Sequence, residues 1–189
     1  QLNGCKFVQT WDGFVYHMTS RGSRFNPMSG GAPGKDSPEW LHTTTKNMRN
    51  FIRKWGTVVK HDTFMKPIIV PKYDIGIVIK NCGDELLNLL EPFCSNIYVD
   101  YFTYYYIEEE QPNTLYDLNK RVLPINSEKT NDIEVRFDGK EFTETSFQII
   151  QQLPEILAGD DELEIGSFEL DIFEININKI KTYEGDLIK

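Results

Sequence analysis

The residues with most capacity for chemistry lie near the amino end. Residues 19–37 form a stretch rich in Gly, Ser, Pro and Asn that carries Arg21, Arg24 and Lys35 but one acid, Asp36. Cations on a glycine-hinged loop suit an anionic ligand such as a phosphate or diphosphate, over which the loop would order as a lid. The plainer reading is a solvated loop. Just before it, His17 closes the β-like run Phe14-Val15-Tyr16-His17, where an imidazole is either a structural residue or a ligand. His42 and His61 read as structural or surface residues.

Charge sharpens the asymmetry. The formal net charge of −9 divides into +7 over residues 1–72 and −16 over residues 73–189. A basic first part favours an anionic ligand, whereas an acidic second part repels polyanions, so nucleic acid ranks low as a partner. Pro67 and Pro71 sit at the changeover. Two domains are therefore expected, residues 1–70 and 71–189.

The elements that must position these residues follow from pattern. Residues 6–11 and 13–18 read as two short strands joined at Asp12-Gly13, a turn-forming pair. A helix follows, with Ser37 as N-cap, Pro38 at its first position and Gly56 past its end. Leu41, Thr45, Met48, Phe51, Ile52 and Trp55 share one face, expected to be buried. Lys46, Arg49 and Arg53 share another, expected to be solvated or to meet a second domain.

Beyond residue 70 the spacing predicts strands over 73–81, 96–106, 132–137 and 167–178, and helices over 84–93 and 146–157. The second helix carries a capping-box pattern in Thr145 and Gln148. The insertion 108–129 holds a short helix near 114–122. The Tyr-rich run 98–106 reads as a half-buried strand, and a phase slip in the last strand predicts a bulge at Ile172-Phe173. The order β-α-β, insertion, β-α-β is that of a ferredoxin-like βαββαβ sandwich. The expected fold class is thus α+β: an N-terminal β-hairpin, loop and helix followed by that sandwich.

Residues 4–25, Gly4-Cys5-Lys6-Phe7-Val8-Gln9-Thr10-Trp11-Asp12-Gly13-Phe14-Val15-Tyr16-His17-Met18-Thr19-Ser20-Arg21-Gly22-Ser23-Arg24-Phe25, resemble the closing segment of the catalytic domain in family-2 glycosyltransferases of the GT-A fold. The match rests on the strand-terminal His17 and on the Ser/Arg loop after it, and extends weakly through Trp55. The resemblance implies transfer of a hexose from a nucleotide diphosphate sugar to an acceptor hydroxyl with Mn²⁺ or Mg²⁺. It implies a metal or diphosphate contact for His17 and substrate binding by Arg21, Ser23, Arg24 and Lys35. Imidazole suits Mn²⁺ beside oxygen ligands, and cations neutralise charge on a leaving diphosphate. The Asp-x-Asp motif and the acceptor-activating acid of that family are missing from suitable positions. The chain begins with Gln1, so a fragment of a longer parent is expected, inactive on its own.

Other chemistries drop out. There is no P-loop, dinucleotide glycine fingerprint, Gly-x-Ser-x-Gly elbow or His-Glu-x-x-His. Cys5, Cys82 and Cys94 lack metal-site spacing and read as reduced thiols of a cytoplasmic protein. Glu108-Glu109-Glu110 and Asp160-Asp161-Glu162 read as solvated charge. No apolar run approaches the roughly 20 residues of a membrane span. The competing expectation is a non-catalytic ferredoxin-like binding or oligomerisation module, with a homo-oligomer possible in either case.

Overall fold

A computed structural model describes residues 23–101, 103–159 and 163–183. The predicted strands at 6–11 and 13–18 lie outside the described residues. The chain divides between Asn47 and Met48 into two units. Two short 3-10 turns, Ser23–Phe25 and Pro27–Ser29, precede helix α1, Pro38–Trp55, whose residues from Met48 on belong to the second unit. Its signals act as expected: Ser37 Oγ accepts from the Trp40 amide at 3.2 Å, and Gly56 stops the helix with φ of 78°. The apolar face does not. Leu41 and Met48 are 48% and 53% exposed, and the buried residues are Ile52 and Arg53. Periodicity specifies a helix, but not what covers it.

The second unit is built on a six-stranded mixed sheet, with strands β1 Ile75–Lys80, β2 Asn96–Val99, β3 Val122–Pro124, β4 Ile133–Asp138, β5 Gly166–Leu170 and β6 Phe173–Ile177. Their order is β3-β2-β1-β4-β6-β5. The first four run parallel, and β6 is antiparallel to both β4 and β5. Helices α2 (Asp84–Leu90), α3 (Tyr104–Glu110), α4 (Leu118–Arg121) and α5 (Glu144–Gly159) join the strands. The molecule is mixed α and β, as expected, but the ferredoxin-like arrangement is not the one formed. A ferredoxin-like sandwich places helices over an antiparallel sheet, whereas β1 lies between two parallel neighbours, β2 and β4. That is the 3-2-1-4 order of a doubly wound sheet.

Composition explains the parallel centre. A strand covered on both faces reads as an unbroken apolar run, and Ile75-Gly76-Ile77-Val78-Ile79 is buried throughout. Ile77, Ile79, Ile97, Val99, Ile133, Val135, Ile175 and Ile177 make the inner core. Below the strand starts, buried Asn131 donates to Asp74 and Asn96 at 2.8 and 2.9 Å and accepts from the Tyr98 hydroxyl at 2.9 Å. Each polar atom there is paired, as burial requires.

Three local expectations are corrected. The run 96–106 is not one strand: β2 ends at Val99 and Tyr104 starts α3, whose Tyr106 turns inward while Tyr104 and Tyr105 stay exposed. Tertiary context overrides aromatic β-propensity. The phase slip at Ile172-Phe173 is a hairpin turn between β5 and β6, with Asp171 at φ of 55°, and not a bulge. Helix α5 is capped by Thr143, whose Oγ1 accepts from the Ser146 amide at 3.2 Å, so Thr145 is not its cap.

Candidate functional site

The loop cations singled out by sequence are the natural starting point. The Arg24 Nε donates to Asp36 Oδ1 at 2.6 Å, and the guanidinium lies over the rings of Phe25 and Trp40 at 5.0 and 4.4 Å. The hydrogen bond to Asp36 raises its pKa. Lys35 is exposed, its backbone paired with Ala32 in both directions. The turn is closed on itself, because the Ser37 amide donates to the Arg24 carbonyl at 2.7 Å and a Cβ at Gly31 would meet that carbonyl at 2.8 Å. His17, Arg21 and the side chain of Ser23 lie outside the described residues. The one loop cation with a resolved role, Arg24, is engaged by its neighbour Asp36.

Arg49 and Arg53 are not solvated. Arg53 and Glu91 are 2% and 0% exposed. The Arg53 guanidinium donates from Nη2 to Glu91 Oε2 at 2.6 Å and to Glu110 Oε1 at 2.5 Å. Arg49 donates to Glu110 at 2.7 Å and to the Tyr106 hydroxyl at 2.8 Å, and that hydroxyl donates to Glu91 at 3.0 Å. Arg121 adds a bond to Glu91 Oε1 at 2.7 Å and a second to the Cys94 carbonyl at 2.6 Å. Burial alone would raise the Glu91 pKa, but Arg121 and Arg53 hold the carboxyl below its usual range. Every charge has a partner, so this cluster ties α1, α3 and α4 together and leaves no group open to a ligand.

A third set of polar groups gathers at the carboxyl ends of the parallel strands. In doubly wound sheets the chain leaves β1 toward one side and β4 toward the other, so a crevice opens between their carboxyl ends. Here the Asp100 carboxylate, directly after β2, accepts from the amides of Asn81 and Cys82 at 2.7 and 3.1 Å. The Asn81 side chain reaches across to both oxygens of Asp138, at 3.0 and 2.9 Å, from a backbone at φ of 53°. Asp138 is held below its usual pKa, first by the Lys140 amide and then by Asn81, with Lys140 and Lys80 as nearby cations. Tyr101 donates to Asp84 at 2.9 Å. Burial and Asp100 push the Cys82 thiol up to about 12, so it is a neutral thiol and not a nucleophile at pH 7.

Chemically this edge offers carboxylates and an amide for ligand hydroxyls and N–H groups, with two lysines at its border. An acid at the end of the second strand, about 20 residues past the first turn, is where doubly wound folds read a ribose hydroxyl. The first turn of α2, Asp84 and Glu85, disfavours a bare phosphate at that helix start. Among the described residues no three His, Cys, Asp or Glu side chains converge as a cation cage, so this part of the chain does not by itself fit the Mn²⁺ or Mg²⁺ that the resemblance implies. Sequence reading missed Asn81, Asp100 and Asp138, because only the strand order brings them together. Comparison with protein-family models, with curated proteins and with solved structures finds no match to this chain. No described helix is long and apolar enough to cross a membrane.

Proposed function

We propose that the chain serves a glycosyltransferase that moves a hexose from a nucleotide diphosphate sugar to an acceptor hydroxyl, with the nucleoside held at the carboxyl edge of the second unit. The observation that carries this reading is Asp100 at the end of β2, beside the reversal of strand order between β1 and β4. A nucleoside presents ribose hydroxyls, which a carboxylate accepts well, and a base N–H edge, which suits Asn81 and Asp138. The absence of a glycine-rich phosphate cradle among the described loops, and the acidic start of α2, leave the diphosphate to cations, of which Lys80 and Lys140 stand nearest. The basic segment of residues 1–35 and its likeness to the closing part of a GT-A catalytic domain support the transfer chemistry.

Titration calorimetry of the full chain with UDP and with GDP, each with and without Mn²⁺, tests the binding step. One of the two nucleotides is expected to bind, and Asp100→Asn, which keeps an acceptor for the loop amides but loses the charge, is expected to weaken it about tenfold, or about 1.4 kcal/mol. Binding by neither nucleotide, or equal binding by the variant, overturns the reading and leaves a non-catalytic module. In a transfer assay, metal dependence that persists in His17→Ala removes His17 from the cation role.

A further inference from the structure

At the opposite edge of the same sheet, where the parallel strands begin, lies a cavity of about 550 Å³. Tyr73 and Asp74 lead into β1, Ser95 and Asn96 into β2, and Lys120 and Arg121 into β3; Leu115 and Tyr116 come from the loop before α4. The volume falls in the range of small-molecule sites, about 300–1,000 Å³. Tyr116 is nine-tenths buried in this wall, and its hydroxyl has no hydrogen-bond partner among the described residues. That hydroxyl is itself closed to solvent, so what Tyr116 presents to the cavity is its ring side and not a free polar atom.

The lining selects the ligand class. Asp74 and Asp117 disfavour a polyanion, and Lys72, Lys120 and Arg121 disfavour a polycation. Five charged residues disfavour a purely apolar guest. Several of them are already engaged: Arg121 by Glu91, Asp74 by Asn131, and Asp117 by the Asn119 amide at 3.1 Å and Lys120 at 3.4 Å. What suits such a wall is a neutral molecule whose groups both donate and accept, with apolar faces to lie against Tyr73, Tyr116 and Tyr183. We infer that this amino-edge cavity binds a neutral saccharide of one or two sugar units. The site shares no residue with the carboxyl edge and stands whether or not a nucleotide binds there.

The test is an amide chemical-shift titration of the full chain with glucose, N-acetylglucosamine and maltose as probes, and with inorganic phosphate and spermidine as charged controls. Saturable shifts confined to residues 72–74, 95–96 and 115–121 with at least one sugar, and none with the controls, support the site. Leu115 is 89% exposed at the mouth, so Leu115→Arg should fold and abolish those shifts. Tyr116→Phe should fold as well, since it removes an unpaired hydroxyl closed to solvent, and it should keep those shifts. No saturable shift with any sugar, shifts only around residues 80–84 and 138–140, or shifts that persist in Leu115→Arg overturns the assignment. Stronger binding of phosphate or spermidine than of the sugars overturns it equally.

Discussion

At the scale of single residues, Glu91 carries more of the second unit than any loop cation does. It is completely buried, accepts from Arg53, Arg121 and Tyr106, and has no water to fall back on. Glu91→Gln would leave Arg49 and Arg53 to share one carboxylate, Glu110, and Arg121 with only the Glu91 and Cys94 backbone carbonyls. Breaking one side of a buried ion cluster costs about 3–5 kcal/mol, so the variant is expected to lose that much in urea unfolding. Its carboxyl is ionised below the range of an unfolded Glu, so the stability it supplies is present above about pH 4.3 and is lost as the pH falls further. Glu110 is shifted the same way despite its burial, by Arg53 and Arg49. The wild-type melting temperature should therefore drop steeply on acidification below that pH, and the drop should be shallower in Glu91→Gln. An equal pH profile in the two proteins would contradict this assignment of the cluster. The partners were not legible in sequence, where Arg49 and Arg53 read as a solvated or interdomain face, because Glu91, Tyr106 and Glu110 lie 38 to 61 positions away along the chain.

At the scale of elements, the junction of β1 and β4 is the tightest place near the candidate site. A Cβ at Gly139 would stand 2.8 Å from the Asn81 carbonyl and 2.9 Å from the Leu86 side chain. The backbone atom cannot yield easily, so Gly139→Ala is expected to cost about 1–3 kcal/mol as overpacking and to disturb the Asn81–Asp138 contact. Gly76 is a second close approach: its Cβ would meet the Asn131 side-chain oxygen at 2.3 Å, displacing the group that receives the Tyr98 hydroxyl. A melting temperature within a degree of wild type for both variants would contradict the packing described. Several elements were readable in advance. Unbroken Ile and Val marked β1, and Ser37, Pro38 and Gly56 marked the limits of α1. What failed was arbitration between neighbours: the Tyr run 98–106 carried strand propensity into a helix, and one phase slip between β5 and β6 fitted a bulge as well as a turn.

At the scale of the whole molecule, strand order was the feature that sequence did not disclose. The succession of strands and helices admits both a ferredoxin-like sandwich and a doubly wound sheet, and pairing decides between them. That difference moves the candidate site from the basic amino-terminal loop to the carboxyl edge, since only parallel neighbours bring Asn81, Asp100 and Asp138 to one place. Hydrogen–deuterium exchange of the full chain, with and without the nucleotide that binds, is the most direct check on the carboxyl-edge reading. Protection should appear at residues 80–84, 100–101 and 138–141. Exchange unchanged there, or protection restricted to residues 72–74, 95–96 and 115–121, would contradict it.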